Sequence, residues 1–373
     1  GASPRGRTLA PILRGTGVKL VIGQALAIDE RARTVTVGHL DATNAIVEHR
    51  IPWDRLVLAL GSRPDTSFPG VREHAFVLDP AGAEGLAARL GELSAWATAS
   101  GARPRVLVVG GGLTGIEVAS EIAESWPGLD VSLMTRGAVG EEFSTAARRH
   151  FDGALARLGV DVRTHASAVR VEEGRVVTTD GDVRFDVCIW TTGFVGAPLP
   201  MGMSLATNGR GQVLVDPYLR SVNDPEVYVA GDLAAHAVPP PIPVPMGCKS
   251  AGPAGAYVAD ALVDELAGRP LTPFDFTTPV YCVSLGRKDG VVQRTRPDGS
   301  LTGPILRGRL AAWVKELICK GTVTAFTLER FGLSRYEMFR TGNVPVLPAS
   351  NARAALAASS DASGMLQGGT AGS

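Results

Sequence analysis

Residues 105–118 read RVLVVGGGLTGIEV, and the rest of the chain is organised around them. Arg105 to Val109 is a short apolar, β-branched run of the kind a strand buried on both faces requires. Gly110, Gly112 and Gly115 follow in the spacing G-x-G-x-x-G, and Ile116 to Glu124 continues with helix formers at roughly helical spacing. In a strand–turn–helix context the first glycine permits a tight turn. The second lets a pyrophosphate approach the backbone, and the third lets helix and strand pack closely. The helix N-terminus then offers unpaired amides and a partial positive charge to the phosphates. A P-loop is excluded because no Lys-Ser/Thr pair follows the last glycine, and no kinase catalytic-loop signature follows either. The bland alternative is a glycine-rich turn inside an ordinary α/β domain.

About 20 residues beyond the glycines, an NAD-binding unit of this type carries an acid for the ribose hydroxyls. Here the second strand, DVSLMT at 130–135, is followed by Thr135 and Arg136 at that distance. A guanidinium in this place pairs with a 2′-phosphate, which leans toward NADPH; a solvated loop arginine is the alternative.

Upstream, Val18–Ile28, Thr34–Val37, Ala45–Ile51 and Arg55–Leu60 read as strands of a meander that ends in LVLALGSRPD at 56–65. An apolar strand running into Gly61 marks the kind of sheet edge where open α/β folds bind ligands. Asp79–Ala97 reads as a helix. Downstream, Thr145–Leu158 reads as a helix and Val183–Trp190 as a strand ending in TTGF at 191–194. The stretch VYVAGD at 227–232 repeats the pattern, with Gly231 and Asp232 at the carboxyl end of a strand. Asp232 there either accepts hydrogen bonds from sugar hydroxyls or caps the next turn. A glycine turn at 247–252 feeds a helix expected from Pro253 to Ala267. Pro304 to Lys320 is an amphipathic helix with Trp313 on it, expected either to cover its own sheet or to meet a membrane. The Ala-, Ser- and Gly-rich stretch from 348 is expected to be disordered.

Composition narrows the function classes. The 373 residues carry 37 Lys plus Arg against 37 Asp plus Glu, so the basic excess of a nucleic-acid binder is absent. No two of the four cysteines form a C-x-x-C pair, no histidine spacing suggests a metal, and no apolar run reaches the length of a bilayer span. No apolar signal-peptide core follows Gly1, and a cytoplasmic location is expected, with the inner membrane face as the peripheral variant.

In order, LVLALGS, VLVVGGGLTGIEVA, IWTTGF and VYVAGD resemble the FAD- and NAD(P)-dependent pyridine nucleotide–disulfide oxidoreductase superfamily. The likeness spans about residues 18–268 and is greatest to type II NADH dehydrogenases. It implies an α/β fold with two Rossmann-like dinucleotide-binding domains and a small α+β C-terminal domain. The FAD domain would be discontinuous (1–98 and 223–270), the NAD(P) domain inserted (99–222), and the C-terminal domain would span 271–347 before the tail. The resemblance assigns Gly110, Gly112 and Gly115 to the NAD(P) pyrophosphate, Glu117 and Gly193 to the nicotinamide end, Gly61 and Gly231 to FAD, Asp232 to its ribityl–phosphate region, and Lys249 to the vicinity of the flavin ring.

Three departures stand out. The family's own N-terminal strand–GxGxxG–helix is not in the sequence, so one βαβ unit is expected upstream of Gly1. The redox cysteine pair is absent, which argues against disulfide chemistry. Pro253-Ala254 replaces the Gln-Gln pair that type II dehydrogenases place near quinone. The expected function is therefore FAD-dependent transfer of hydride from NAD(P)H to flavin and on to a small-molecule or protein acceptor, with quinone in question. A homodimer and a membrane contact through 305–320 are further expectations. The alternative is a non-catalytic NAD(P)-binding sensor that has lost its flavin site.

Overall fold

The computed structural model describes residues 8–41, 43–240 and 242–330. The chain forms two compact units: Gly1–Ser62 with Gly196–Thr277 and Gly321–Ser373, and Arg63–Val195 with Thr278–Lys320. The expected tail at 348–373 and the end of the expected C-terminal domain, 331–347, lie outside the described residues.

The second unit is built on a five-stranded parallel sheet. Its order is Phe76–Val77, Val187–Trp190, Arg105–Val109, Asp130–Met134 and Asp161–Arg163. Because successive side chains alternate between faces, Val106 and Val108 enter one core while Leu107 and Val109 enter another. The first core is closed by three helices. Pro80–Ser100 contributes Leu86, Leu90 and Leu93, Leu113–Ser125 contributes Ile116 and Ile122, and Thr145–Arg157 contributes Phe151 and Leu155. Asp79 and Ser144 cap two of these helices, accepting from the amides of Gly82 and Ala147. The other core lies under the antiparallel strands Ala168–Glu172, Arg175–Thr178 and Gly181–Arg184, through Val171, Val176 and Val183. A second antiparallel sheet, Val280–Ser284, Gly290–Thr295 and Leu301–Arg307, leads into the helix Arg309–Arg330.

The first unit holds the antiparallel sheet Gln24–Asp29, Thr34–Leu40 and Ile46–Pro52. It also has two parallel pairs, Leu56–Leu58 with Val227–Val229 and Val213–Val215 with Ala234–His236. The helix Cys248–Leu266 packs Ala254, Tyr257 and Val258 onto Val229, Leu233 and Phe274.

The compact units divide at 62/63 and 195/196. Residues 63–98 go with the glycine-motif sheet because the Phe76–Val77 strand pairs with Ile189 and Trp190, while Leu86 and Leu90 complete the core of that sheet. Residues 278–320 likewise belong to that unit, through Val283, Leu285 and Val291 in the same core. The run Val183–Trp190 is two strands, not one. It breaks at Asp186, whose carboxylate accepts the Arg105 amide at 2.7 Å. The helix expected from Pro304 begins at Arg309, because Pro304 lies in an edge strand, where a missing N–H is tolerated. Gly308, at φ +77°, turns the chain into the helix. The Cys248–Leu266 helix starts before Pro253, which sits buried inside it. The first strand begins at Gln24, not Val18; residues 18–22 are exposed and have no strand partner among the described residues.

Candidate functional site

The glycine turn stands at the carboxyl end of the central strand. Met134 lies opposite Val109, and the Gly110 amide donates to the Met134 carbonyl at 2.8 Å. The three glycines have different causes. A methyl at Gly115 would overlap the Gly110 carbonyl oxygen, and one at Gly110 would strike the Thr191 hydroxyl. Packing inside the protein therefore requires both. At Gly112 an added Cβ would have no protein atom within 4 Å. Gly112 is the N-cap of the 13-residue Leu113–Ser125 helix, which has no side-chain cap and no acid in its first turn. Open space thus meets helix amides that have no acceptor inside the helix. These features fit a pyrophosphate.

Around this notch, Thr191 donates its hydroxyl to the Val109 carbonyl at 2.8 Å and so locks the end of one strand to the next. The sequence reading passed over Thr191 and singled out Gly193; a hydroxyl directly after a strand that flanks the glycine turn was the available signal. Gly193 lies beyond it, its carbonyl accepting the Asp65 amide at 3.1 Å. Thr135 is 9% exposed and packs on Gly111, whereas Arg136 is exposed.

Glu117, one turn into the helix from Gly112, faces the antiparallel sheet. Its Oε1 accepts the Ser284 amide at 3.0 Å and pairs with Lys315 of the Arg309–Arg330 helix. Burial pushes the Lys315 ammonium below its ordinary value. Glu117 also borders a groove of about 400 Å³ walled by Leu86, Leu90, Ile122 and Trp126. Lys315 was not distinguished in the sequence from the other basic residues of its helix. Its position four residues after the buried Ala311 marks it as facing inward.

In the other unit, Gly61 and Gly231 both adopt positive φ, +70° and +73°, and a Cβ at Gly61 would meet open space. Asp232 is held from two sides. Its Oδ2 accepts the Ser62 hydroxyl at 2.7 Å and its Oδ1 the Gly247 amide at 2.6 Å. Gly247 is the N-cap of Cys248–Leu266, whose first turn contains Lys249 and no acid. The carboxylate therefore fastens a glycine turn to a helix N-terminus, as either sequence reading of Asp232 allows. Beyond the amide that Asp232 takes, the helix brings no acid of its own to its first turn and Gly61 leaves open space, which fits a second phosphate-bearing group. Ser62 and Gln212, which donates to the Asp232 carbonyl at 2.8 Å, were not foreseen.

Close by, His236 lines a cavity of about 200 Å³ with its ring parallel to Phe274, and burial pushes the imidazole down to about 4. Cys188 is buried, with its thiol pushed up to about 12. No group of three or more metal-ligating side chains occurs among the described residues.

Residues 8–260 match the family described as pyridine nucleotide-disulphide oxidoreductase. Over 300 residues the chain is 31% identical to an NADH dehydrogenase-like protein of Mycobacterium tuberculosis, covering 76% of this chain and 72% of that protein. It is 25% identical over 347 residues to a type II NADH:quinone oxidoreductase of Staphylococcus haemolyticus, covering 87% and 81%. A solved FAD-dependent pyridine nucleotide-disulphide oxidoreductase from Desulfovibrio vulgaris superposes with a TM-score of 0.54 at 25% identity, covering 74% of this chain and 68% of that one.

Proposed function

The chain belongs to the pyridine nucleotide-disulphide oxidoreductase family, and on that premise we propose that it is an FAD-dependent NAD(P)H dehydrogenase that delivers electrons to a quinone-class acceptor. The observation that carries the nucleotide half is Gly112, a glycine that internal packing does not require, at the start of a helix with no cap of its own. FAD, when bound, supplies the chemistry, taking hydride from the nicotinamide and releasing the electrons singly or in pairs.

The protein's own residues bind and orient. Gly112 opens the space for the pyrophosphate, Gly110 and Gly115 let the turn and helix pack closely enough to form it, and Thr191 braces the turn through Val109. Gly61, Gly231, Asp232 and Lys249 hold the flavin nucleotide at the start of Cys248–Leu266. Glu117 is paired with Lys315 and oriented by the Ser284 amide, and it serves the nicotinamide end as a positioning residue. No side-chain acid or base is needed for the hydride step itself.

The quinone class rests on the name of the Staphylococcus relative, against the Pro253-Ala254 replacement in the sequence. Peripheral attachment to a lipid surface goes with that acceptor. Leu310, Trp313 and Leu317 stand exposed along one side of Arg309–Arg330, and no described helix is long and apolar enough to cross a membrane. The test is anaerobic titration of the purified protein with NADH and NADPH, followed by a soluble quinone. Bleaching of the flavin bands by the nucleotide and their return with quinone is expected. A protein that binds nucleotide but has no flavin spectrum would overturn the proposal, and return of colour only with ferricyanide would overturn the quinone.

A further inference from the structure

Resting on the nucleotide site just proposed, we infer that this site selects the 2′-phosphorylated nucleotide, NADPH, and that Arg136 is the residue that makes the choice. The register of the parallel sheet fixes the place. Met134 ends its strand opposite Val109, so Thr135 and Arg136 emerge beside the glycine turn, where the adenosine ribose of a nucleotide lying across that turn would sit. Thr135 is neutral, nearly buried and packed on Gly111, so it supplies no carboxylate to accept from a pair of ribose hydroxyls. Arg136 is exposed and makes no hydrogen bond or ion pair to a described residue.

The neighbouring strand strengthens the charge pattern. Asp161–Arg163 ends level with Met134, and the Thr135 amide donates to the Arg163 carbonyl at 2.9 Å. Beyond it His165 is exposed and held at φ +58°, a backbone conformation that side chains other than glycine rarely adopt. Arg136 and His165 therefore stand at two adjacent strand ends, with Arg163 between them in sequence already paired to Asp161. The acids nearby are already engaged. Asp161 pairs with Arg163 at 2.8 Å, and Glu141 accepts the Ala138 amide of its own loop at 2.8 Å. A dianionic phosphate completes such a place, and the planar guanidinium is the side chain suited to it. An unphosphorylated ribose would find, at the end of this strand, a cation in place of a carboxylate.

Calorimetric titration of the full chain with NADP⁺ and NAD⁺, and with 2′,5′-ADP and 5′-AMP as the isolated halves, tests the inference without turnover. The 2′-phosphorylated ligand of each pair is expected to bind about tenfold tighter or more, with the advantage shrinking as salt is raised. Arg136→Ala is expected to erase most of that advantage while leaving NAD⁺ affinity unchanged, and Arg136→Lys to restore part of it. If NAD⁺ binds as tightly as NADP⁺, or Arg136→Ala weakens both alike, the preference is overturned while the nucleotide site stands. If neither nucleotide binds, both readings fall together.

Discussion

At the scale of single residues, the glycines of the turn are not equivalent, and this makes them separable by experiment. Gly112→Val places a side chain where no protein atom lies within 4 Å, so the fold has room for it while the pyrophosphate does not. The variant is expected to unfold close to the wild-type temperature and to lose at least 100-fold in nucleotide affinity, measured by calorimetry alongside thermal melting. Gly115→Ala, which collides with the Gly110 carbonyl, should instead lower the melting temperature. His236 supplies a pH test. Burial lowers its folded pKa to about 4, from about 6.5 in the unfolded chain. As pH falls through that interval the unfolded state takes up a proton that the native state refuses, so stability drops and levels off below about 4. Chemical denaturation between pH 7 and 4 should therefore show a smaller decline for His236→Phe, which keeps an aromatic ring against Phe274. An unchanged slope would show that the imidazole is not buried neutral.

At the scale of elements, the Leu113–Ser125 helix joins the notch at the glycine turn to the small antiparallel sheet. Its Glu117 meets Ser284 and Lys315, its Glu121 meets Arg287 at 2.8 Å, and its Glu124 accepts the Arg287 amide. The same hairpin turn is gripped from Thr145–Arg157, where His150 and Arg157 both reach Asp289, at 2.8 and 2.7 Å. Burial alone would raise the Asp289 carboxyl. The hydrogen bonds from His150 and the Gly290 amide, with the charges of His150 and Arg157, outweigh it and hold the group below its ordinary value. Its contribution is thus fully present above about pH 4, the unfolded carboxyl's range, and is lost as pH falls through the folded pKa. Asp289→Asn is expected to cost about 1–3 kcal/mol at pH 7, read from urea unfolding, and to cost less below pH 4. The Arg309–Arg330 helix presents Leu310, Trp313 and Leu317 to solvent, at 56%, 62% and 55% exposure, while Ala311 and Lys315 turn inward. Vesicles of phosphatidylglycerol and phosphatidylethanolamine are expected to co-sediment the wild type and to lose most of that binding with Leu310→Glu. Equal sedimentation of the two would reject attachment through this face.

At the scale of the whole molecule, each compact unit presents a helix start whose own first turn has no acid, Gly112 in one and Gly247 in the other, and these are the two proposed phosphate sites. Ligand-dependent hydrogen exchange should separate them. NADP⁺ is expected to slow exchange around 110–116 and 135–137, and FAD around 61–62, 231–232 and 247–250. Protection of one shared set by both ligands would refute two distinct sites.

The motif at 105–118 and its order relative to LVLALGS, IWTTGF and VYVAGD were sufficient to read the α/β class and the oxidoreductase family, because tight turns and buried parallel strands write local, short-range patterns. Strand and helix positions were legible for the same reason wherever a cap or glycine marked an end, as at Asp79 and Ser144. What depended on partners distant in sequence was decided only by the tertiary structure. Residues 63–98 joined the glycine-motif sheet because Phe76–Val77 found an open strand edge and Leu86 a core. Pro304 fell in a strand because Gly290–Thr295 offered it an edge. Glu117 acquired Lys315, 198 positions away, and Asp232 acquired Ser62, 170 positions away. Local propensity carries no information about such pairs, since their energy exists only once the chain has closed the loop between them.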